Sequence, residues 1–224
     1  VDDILIVFDL DGTLIDTSHD LLDSLNFCLS TIDLEPVEYG QLSVLVGQGA
    51  KAMLTRAFDI RSKSVSDSEL NEFFELFVSH YGKNMPGKSR AYDGLDEALE
   101  RLQIDGVRFA ICTNKHESLA RLLMEKLGMS DQFVALTGGN SFSFRKPDGR
   151  HILETIKLAN GKPDRTIMIG DSINDIAAAK DAGIPSIGVP FGFSDVPIAD
   201  LKPDGIISHY DELTYQLIIE LLNK

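Results

Sequence analysis

Apolar positions along this chain change period as they go. The first run, Ile4-Leu5-Ile6-Val7, is short and continuous, as in a strand buried on both faces. Leu21, Leu22, Leu25, Leu29 and Ile32 then recur at helical spacing, with Asp20, Asp23 and Asn26 on another face, and predict an amphipathic helix. A second apolar stretch covers residues 42–58, broken near Gly47 and Gly49, and a third, over 70–81, carries Phe73, Phe74, Phe77 and Val78. From residue 107 onward strand-like runs alternate with helical ones: strands over 107–112, 133–136, 166–169 and 186–189, helices over 118–127, 150–158 and 175–182. That alternation predicts an α/β fold with a Rossmann-like, doubly wound parallel sheet. Residues 16–89 read as a helical cap domain inserted into a core made of 1–15 and 90–224. The leucine and aromatic stripes of this insertion are its own core, and a last helix near 212–222 closes one flank of the sheet.

Composition narrows the function more than the fold. The 224 residues suffice for one domain, or one domain with a sizeable insertion. With 21 basic against 35 acidic residues the formal charge is −14, which argues against nucleic-acid and anionic-membrane partners. An anionic small substrate would need local cations to overcome that field, so a bound metal and a few placed lysines are expected. Cys28 and Cys112 alone make neither a disulfide framework nor a zinc set, and each is expected buried and reduced. No apolar run approaches the roughly 18 residues of a membrane span, and Val1-Asp2-Asp3 lacks the basic start of a signal peptide. A cytoplasmic protein, monomer or homodimer, is expected.

The chemistry concentrates where strands end. In Phe8-Asp9-Leu10-Asp11-Gly12-Thr13-Leu14, Asp9 and Asp11 are two apart, so they project together while Leu10 turns to the core. Paired carboxylates repel, which calls for a divalent cation between them or for an acid/base couple; both are expected here. Asp-Gly between apolar residues is also a common turn. A second cluster, Gly170-Asp171-Ser172-Ile173-Asn174-Asp175, follows the strand over 166–169. In open parallel sheets, sites form beyond the carboxyl ends of strands, so the two clusters can share a crevice. Thr113-Asn114 and Lys146-Pro147 lie between them in sequence.

In this order the four points resemble the haloacid dehalogenase superfamily of phosphohydrolases, whose motifs run Asp-Xaa-Asp-Gly-Thr, Thr/Ser, Lys, and Gly-Asp-Xaa-Xaa-Xaa-Asp. Val46-Gly47-Gln48-Gly49, Thr113-Asn114-Lys115, Ala177 through Gly183 and Phe191-Gly192-Phe193 make the chain look like the phosphoglycolate phosphatase-like subfamily. The resemblance implies a Mg²⁺-dependent phosphatase of small organic phosphate monoesters such as 2-phosphoglycolate. Asp9 would attack phosphorus to form an aspartyl-phosphate, and Asp11 would protonate the leaving alkoxide and later take a proton from water. Mg²⁺ would be held by the Asp9 side chain, the Asp11 carbonyl and the Asp171 side chain. Thr113, Asn114 and Lys146 would bind the phosphoryl group, and Gly12 and Thr13 would form a turn and nest around it, with helix capping the alternative for Thr13. Asp175 either orients a metal-bound water or caps the following helix. The loop over 47–49 would cover the mouth of the site, and no single one of Arg56, His19 and Lys51 is assigned to a substrate carboxylate. Asp148-Gly149-Arg150 departs from relatives that carry a second proline after Lys146-Pro147.

Other readings share parts of this pattern. A β-phosphoglucomutase-like phosphomutase keeps the same four motifs, and pyrophosphatases and nucleotidases belong to the same superfamily. A signalling receiver domain offers an acid pair, a threonine and Lys-Pro, but has no helical insertion after its first strand. A catalytically inert binding protein would not need a competent residue at every polar motif position.

Overall fold

A computed structural model describes residues 3–41, 45 and 49–224. Its centre is a parallel six-stranded sheet in which β1 (Leu5–Phe8), β4 (Arg108–Cys112), β5 (Ala135–Thr137), β6 (Thr166–Gly170), β7 (Ser186–Gly188) and β8 (Gly205–Ile206) take the order β5-β4-β1-β6-β7-β8. Every residue of β1 is buried. Ile6 and Phe8 face one core cluster, while Leu5 and Val7 face the other, as the two-residue period requires. The strand is hydrophobic throughout because both faces of the sheet are covered.

The Leu5 and Val7 face is closed by α6 (Gly149–Leu158) and α7 (Ile173–Ala182), through Ile152, Ile156, Ala178 and Ala179. These helices approach so closely at Gly149 that a Cβ there would lie 2.5 Å from the backbone nitrogen of Ala182. The opposite face is covered by α4 (Leu95–Ile104), α5 (Glu117–Lys126) and α8 (Tyr215–Leu222). The fold is therefore the expected doubly wound, Rossmann-like α/β sheet.

Between β1 and β4 the chain makes a helical excursion through α1 (Ser18–Ser30), α2 (Ala50–Ile60) and α3 (Asp67–Asn84). It leaves and returns side by side, since β2 (Ile15–Asp16) and β3 (Arg90–Ala91) form an antiparallel two-strand ladder. Asp20 is buried beside this ladder, and its carboxylate accepts from Lys88 N at 2.8 Å and from Ser89 N and Oγ at 3.1 and 2.5 Å. Leu25, Leu29, Met53, Leu54, Phe58 and Phe77 fill the space between the three helices. Among the described residues, no helix is long and apolar enough to cross a membrane.

Helix α4 and strands β2, β3 and β8 lie outside the predicted set. Helix α4 carries Leu95, Ala98, Leu99 and Leu102 at helical spacing. Strand β8 and the β2/β3 ladder are two residues per strand, too short for any periodicity to register. The last helix starts later than predicted, at Tyr215, because Thr214 Oγ1 accepts from Leu217 N at 3.2 Å and sets its N-terminus; residues 210–212 form a separate 3₁₀ turn.

Candidate active site

The three central strands end level with one another. Phe8 is in register with Ile111 of β4 and with Ile169 of β6, so Asp9, Thr113 and Asp171 emerge within one residue of the same level. Because β1 is flanked on its two sides by strands that come later in opposite directions, this is the point where the strand order reverses and a crevice opens. A cavity of about 360 Å³ lies there, with Asp9, Asp11, Thr113, Asn114, Lys115, Lys146 and Asp175 on its sheet side and Leu21, Met53, Phe74, Phe77 and Tyr81 on its helical side.

Asp9 and Asp11 both line this cavity while Leu10 is fully buried. The chain turns directly after them: Gly12 has φ 83°, and its N–H donates to Ile15 O at 2.9 Å. The turn reading and the catalytic reading of Asp-Gly therefore describe one piece of backbone. A Cβ on Gly12 would sit 2.5 Å from Asp171 Oδ2, so glycine is required both for the left-handed backbone and for that close approach. Thr13 is buried and donates its hydroxyl to Asp171 Oδ1 at 3.2 Å. The N-cap position of α1 belongs to Thr17.

Each of the two leading aspartates has its own ammonium. Lys146 Nζ donates to Asp9 Oδ1 at 2.8 Å and to Asp175 Oδ1 at 2.6 Å, with its side chain 1% exposed. Lys115 Nζ donates to Asp11 Oδ1 at 2.7 Å and to the Tyr81 hydroxyl at 2.9 Å. Asp11 Oδ1 also accepts from Thr17 Oγ1 at 2.7 Å. Asp175 uses its other oxygen on Ser172, accepting from N at 3.0 Å and from Oγ at 2.7 Å. The same carboxylate thus ties down the start of α7 and anchors Lys146.

Asp171 Oδ2 accepts from Phe193 N at 2.6 Å, and Gly192 lets that loop come close, since a Cβ there would lie 2.3 Å from the Asp171 Cβ. Thr113 Oγ1 accepts from Lys115 N at 3.2 Å, and the Asn114 amide group donates to Lys146 O at 3.0 Å. The departure at Asp148-Gly149-Arg150 has its own logic: Asp148 caps α6 by accepting from Arg150 N at 3.0 Å, and Gly149 permits the tight contact with α7.

Electrostatically the cluster is short of positive charge. Burial pushes the Asp9 carboxyl up to about 6, with Asp175 and Asp11 adding to burial and Lys146 opposing it. Burial, then Asp175 and Asp9, hold the Asp171 carboxyl well above the usual carboxylate range. Burial disfavours the Lys146 ammonium, yet Asp175 and Asp9 more than offset this and keep it charged. Oxygens of Asp9, Asp171 and Asp175 all lie within 4.8 Å of one another. These three buried carboxylates, two of them on the Lys146 ammonium, form an all-oxygen cluster suited to a hard divalent cation.

Of the cations considered for the outer part of a ligand, Lys51 lines the cavity, whereas His19 stacks on Tyr39 with ring centroids 4.9 Å apart and Arg56 is not among the lining residues. Gly49 lines it too; Gly47 and Gln48 of the expected covering loop lie outside the described residues. Lys115, Tyr81 and Arg145 also line the cavity without having been singled out in sequence for a site role. Lys115 follows Thr113-Asn114 directly, which is the signal that could have found it. Tyr81 is indistinguishable in sequence from the aromatic stripe of its helix.

Comparison with known proteins places the chain in a family. A sequence model of the family described as haloacid dehalogenase-like hydrolase matches residues 6–189. A phosphoglycolate phosphatase of Agrobacterium fabrum is 50% identical over 98% of this chain and 94% of its own length. Another, of Mesorhizobium japonicum, is 46% identical over 97% of this chain and 96% of its own length. Among solved structures, a predicted phosphoglycolate phosphatase from Haemophilus somnus superposes with a TM-score of 0.88 at 30% identity, covering 95% of this chain and 97% of that one.

Proposed function

Since this chain belongs to the haloacid dehalogenase-like hydrolase family and is a phosphoric monoester hydrolase, we propose that it hydrolyses 2-phosphoglycolate through an aspartyl-phosphate on Asp9, with Mg²⁺ as its cofactor. The observation that carries the reaction type is the placement of Asp9 and Asp11 in one cavity, each on its own lysine. One carboxylate then serves as nucleophile and the other as proton carrier. The substrate is supported by the relatives at 50% and 46% identity and by a cavity of about 360 Å³, which suits a small organic phosphate.

In the first half-reaction an Asp9 carboxylate oxygen forms a bond to phosphorus as the ester P–O bond breaks. Asp11 gives its proton to the departing alkoxide, releasing glycolate. In the second, water attacks the same phosphorus, its proton passes to Asp11, and the bond to Asp9 breaks to release inorganic phosphate. Lys146 holds Asp9 in place and offsets charge on the transferring group, while Thr113 and Asn114 at the end of β4 supply hydrogen bonds to phosphoryl oxygens. Gly12 and Thr13 shape the turn beneath it.

Mg²⁺ would be held by the side chains of Asp9 and Asp171, two of the three clustered carboxylates, and by the carbonyl of Asp11. When bound it supplies positive charge to the phosphoryl oxygens and relieves the repulsion among the buried carboxylates. Asp175, both of whose oxygens are engaged by Lys146 and Ser172, acts as a support for the site. Helices α1 to α3, within residues 16–89, serve as a cap that closes the cavity against water.

The test is kcat/KM for phosphate release across a panel of small organic phosphates, with Mg²⁺ and with EDTA. A metal-dependent peak at 2-phosphoglycolate is expected. A flat profile would remove that substrate and leave the reaction class, and isomerisation of a sugar phosphate in the presence of a bisphosphate activator would make the chain a phosphomutase.

A further inference from the structure

We propose that Lys115 is a positioning residue for Asp11, its ammonium clamped by Tyr81 so that the Asp11 carboxylate is held at one place beside Asp9. The inference rests on the reading of Asp11 as general acid and base given above, and assigns a role to two residues that this reading leaves without one.

The geometry singles Lys115 out. Its side chain is 5% exposed, and its ammonium has one carboxylate partner in the cavity, Asp11 Oδ1 at 2.7 Å. The Tyr81 hydroxyl lies 2.9 Å from the same nitrogen, which also sits 4.3 Å from the centroid of the Tyr81 ring. Such a site satisfies an ammonium with one charged acceptor, one neutral acceptor and a π-face. Burial pushes the Tyr81 phenol up to about 12, so it faces Lys115 as a neutral hydroxyl.

Asp11, by contrast, lies beyond β1 at the start of a turn, where a single β-bridge to Ile15 holds its backbone and leaves its side chain to be aimed by its own partners. Its orientation is set by what grips it. Thr17 Oγ1 and Lys115 Nζ both meet Oδ1, which leaves proton exchange with the leaving group to Oδ2. A general acid works only within hydrogen-bond reach of the atom it protonates, so a carboxylate held by one oxygen with the other presented is the arrangement this chemistry needs. Tyr81 belongs to α3, hence the clamp ties the aim of Asp11 to the seat of the helices above the cavity. Lys146 performs the corresponding service for Asp9. The cavity therefore gives each of the two reacting carboxylates a different lysine, with Lys146 also holding Asp175.

A positioning role has a signature that a structural role lacks. Departure of a nitrophenolate needs little protonation, whereas departure of an alkoxide needs it fully, so loss of a correctly aimed acid discriminates between esters in kcat/KM. We expect Lys115→Met to lower kcat/KM for 2-phosphoglycolate by roughly 10²-fold and for p-nitrophenyl phosphate by less than about fivefold. Lys115→Arg should recover at least about tenfold of the loss by retaining the cation. Tyr81→Phe keeps the ring and removes only the hydroxyl; it should show the same preference at roughly fivefold, and it decides the matter if Lys115→Met does not fold. Equal losses on both esters in Lys115→Met and Tyr81→Phe would overturn the proposal, because a phosphate-binding or purely structural lysine affects both alike. Asp11→Asn serves as the reference: if it shows no preference between the esters, the acid role of Asp11 fails and the proposal falls with it, whereas a preference in Asp11→Asn alone rejects Lys115 and spares Asp11.

Discussion

Asp9 carries the main electrostatic conflict of the site, because burial and two neighbouring carboxylates oppose its charge while a single lysine supports it. Replacing it with asparagine removes the proposed nucleophile and one of the repelling charges together. Lys146 retains Asp175 at 2.6 Å, so no ammonium is left stranded. We expect Asp9→Asn to lose at least about 10³-fold in turnover, and the metal-free variant to melt no lower than the wild-type protein. Thermal melting beside a phosphate-release assay checks both halves, and retention of near wild-type turnover would reject Asp9 as nucleophile. Asp9 and its partner at the second position were readable from the sequence, because their spacing of two directly after an apolar strand is a local property. Their lysines were only half readable: Lys146 stands out beside a proline in a motif, while Lys115 reads as a polar residue at the start of a helix.

At the scale of elements, the site depends on loops brought within van der Waals distance of one another. The loop at Phe191-Gly192-Phe193 must lie against Asp171, and a Cβ on Gly192 would meet Asp171 Cβ at 2.3 Å and Gly12 O at 2.4 Å. Gly192→Ala therefore displaces Asp171, and we expect the half-saturating Mg²⁺ concentration to rise by roughly 10-fold or more, with a stability loss of about 1–3 kcal/mol. Ser66→Ala is the matching control. Ser66 and Glu69 form a capping box at the start of α3, with Ser66 N donating to Glu69 Oε2 at 2.7 Å, so its loss costs about 1 kcal/mol and leaves Mg²⁺ dependence unchanged. Activity titrated with Mg²⁺ and urea unfolding of the two variants separate these outcomes. The principal strands and helices were legible because their periods are long enough to count. Strand β8 and the β2/β3 ladder were not, since two residues carry no period, whereas α4 does carry helical spacing in Leu95, Ala98, Leu99 and Leu102.

For the whole molecule, the acidic cluster links metal binding, pH and stability. The Asp9 carboxyl lies at about 6 against an ordinary 3.8, and a carboxyl raised in the folded state contributes stability that is complete below its unfolded value and disappears as pH rises through its folded value. The metal-free protein should thus lose on the order of 3 kcal/mol between about pH 4 and pH 6 from this group, with Asp171 acting in the same direction. Mg²⁺ favours the ionised carboxylates and reverses that loss. The rise in Tm on adding millimolar Mg²⁺ should accordingly be several degrees at about pH 7.5 and close to zero at about pH 5; equal rises at both would place the ion elsewhere. The sequence by itself determined the alternation of strands and helices, the order of the acidic motifs and the pairing of Asp9 with Asp11, because each depends on neighbours along the backbone. Only the tertiary structure decided that Lys115 serves Asp11 across 104 positions and Lys146 serves Asp9 across 137, that Tyr81 closes the first pair, and that Gly192 admits Asp171. Those contacts depend on which strands lie side by side and on where their ends come level, and neither is encoded in any local period.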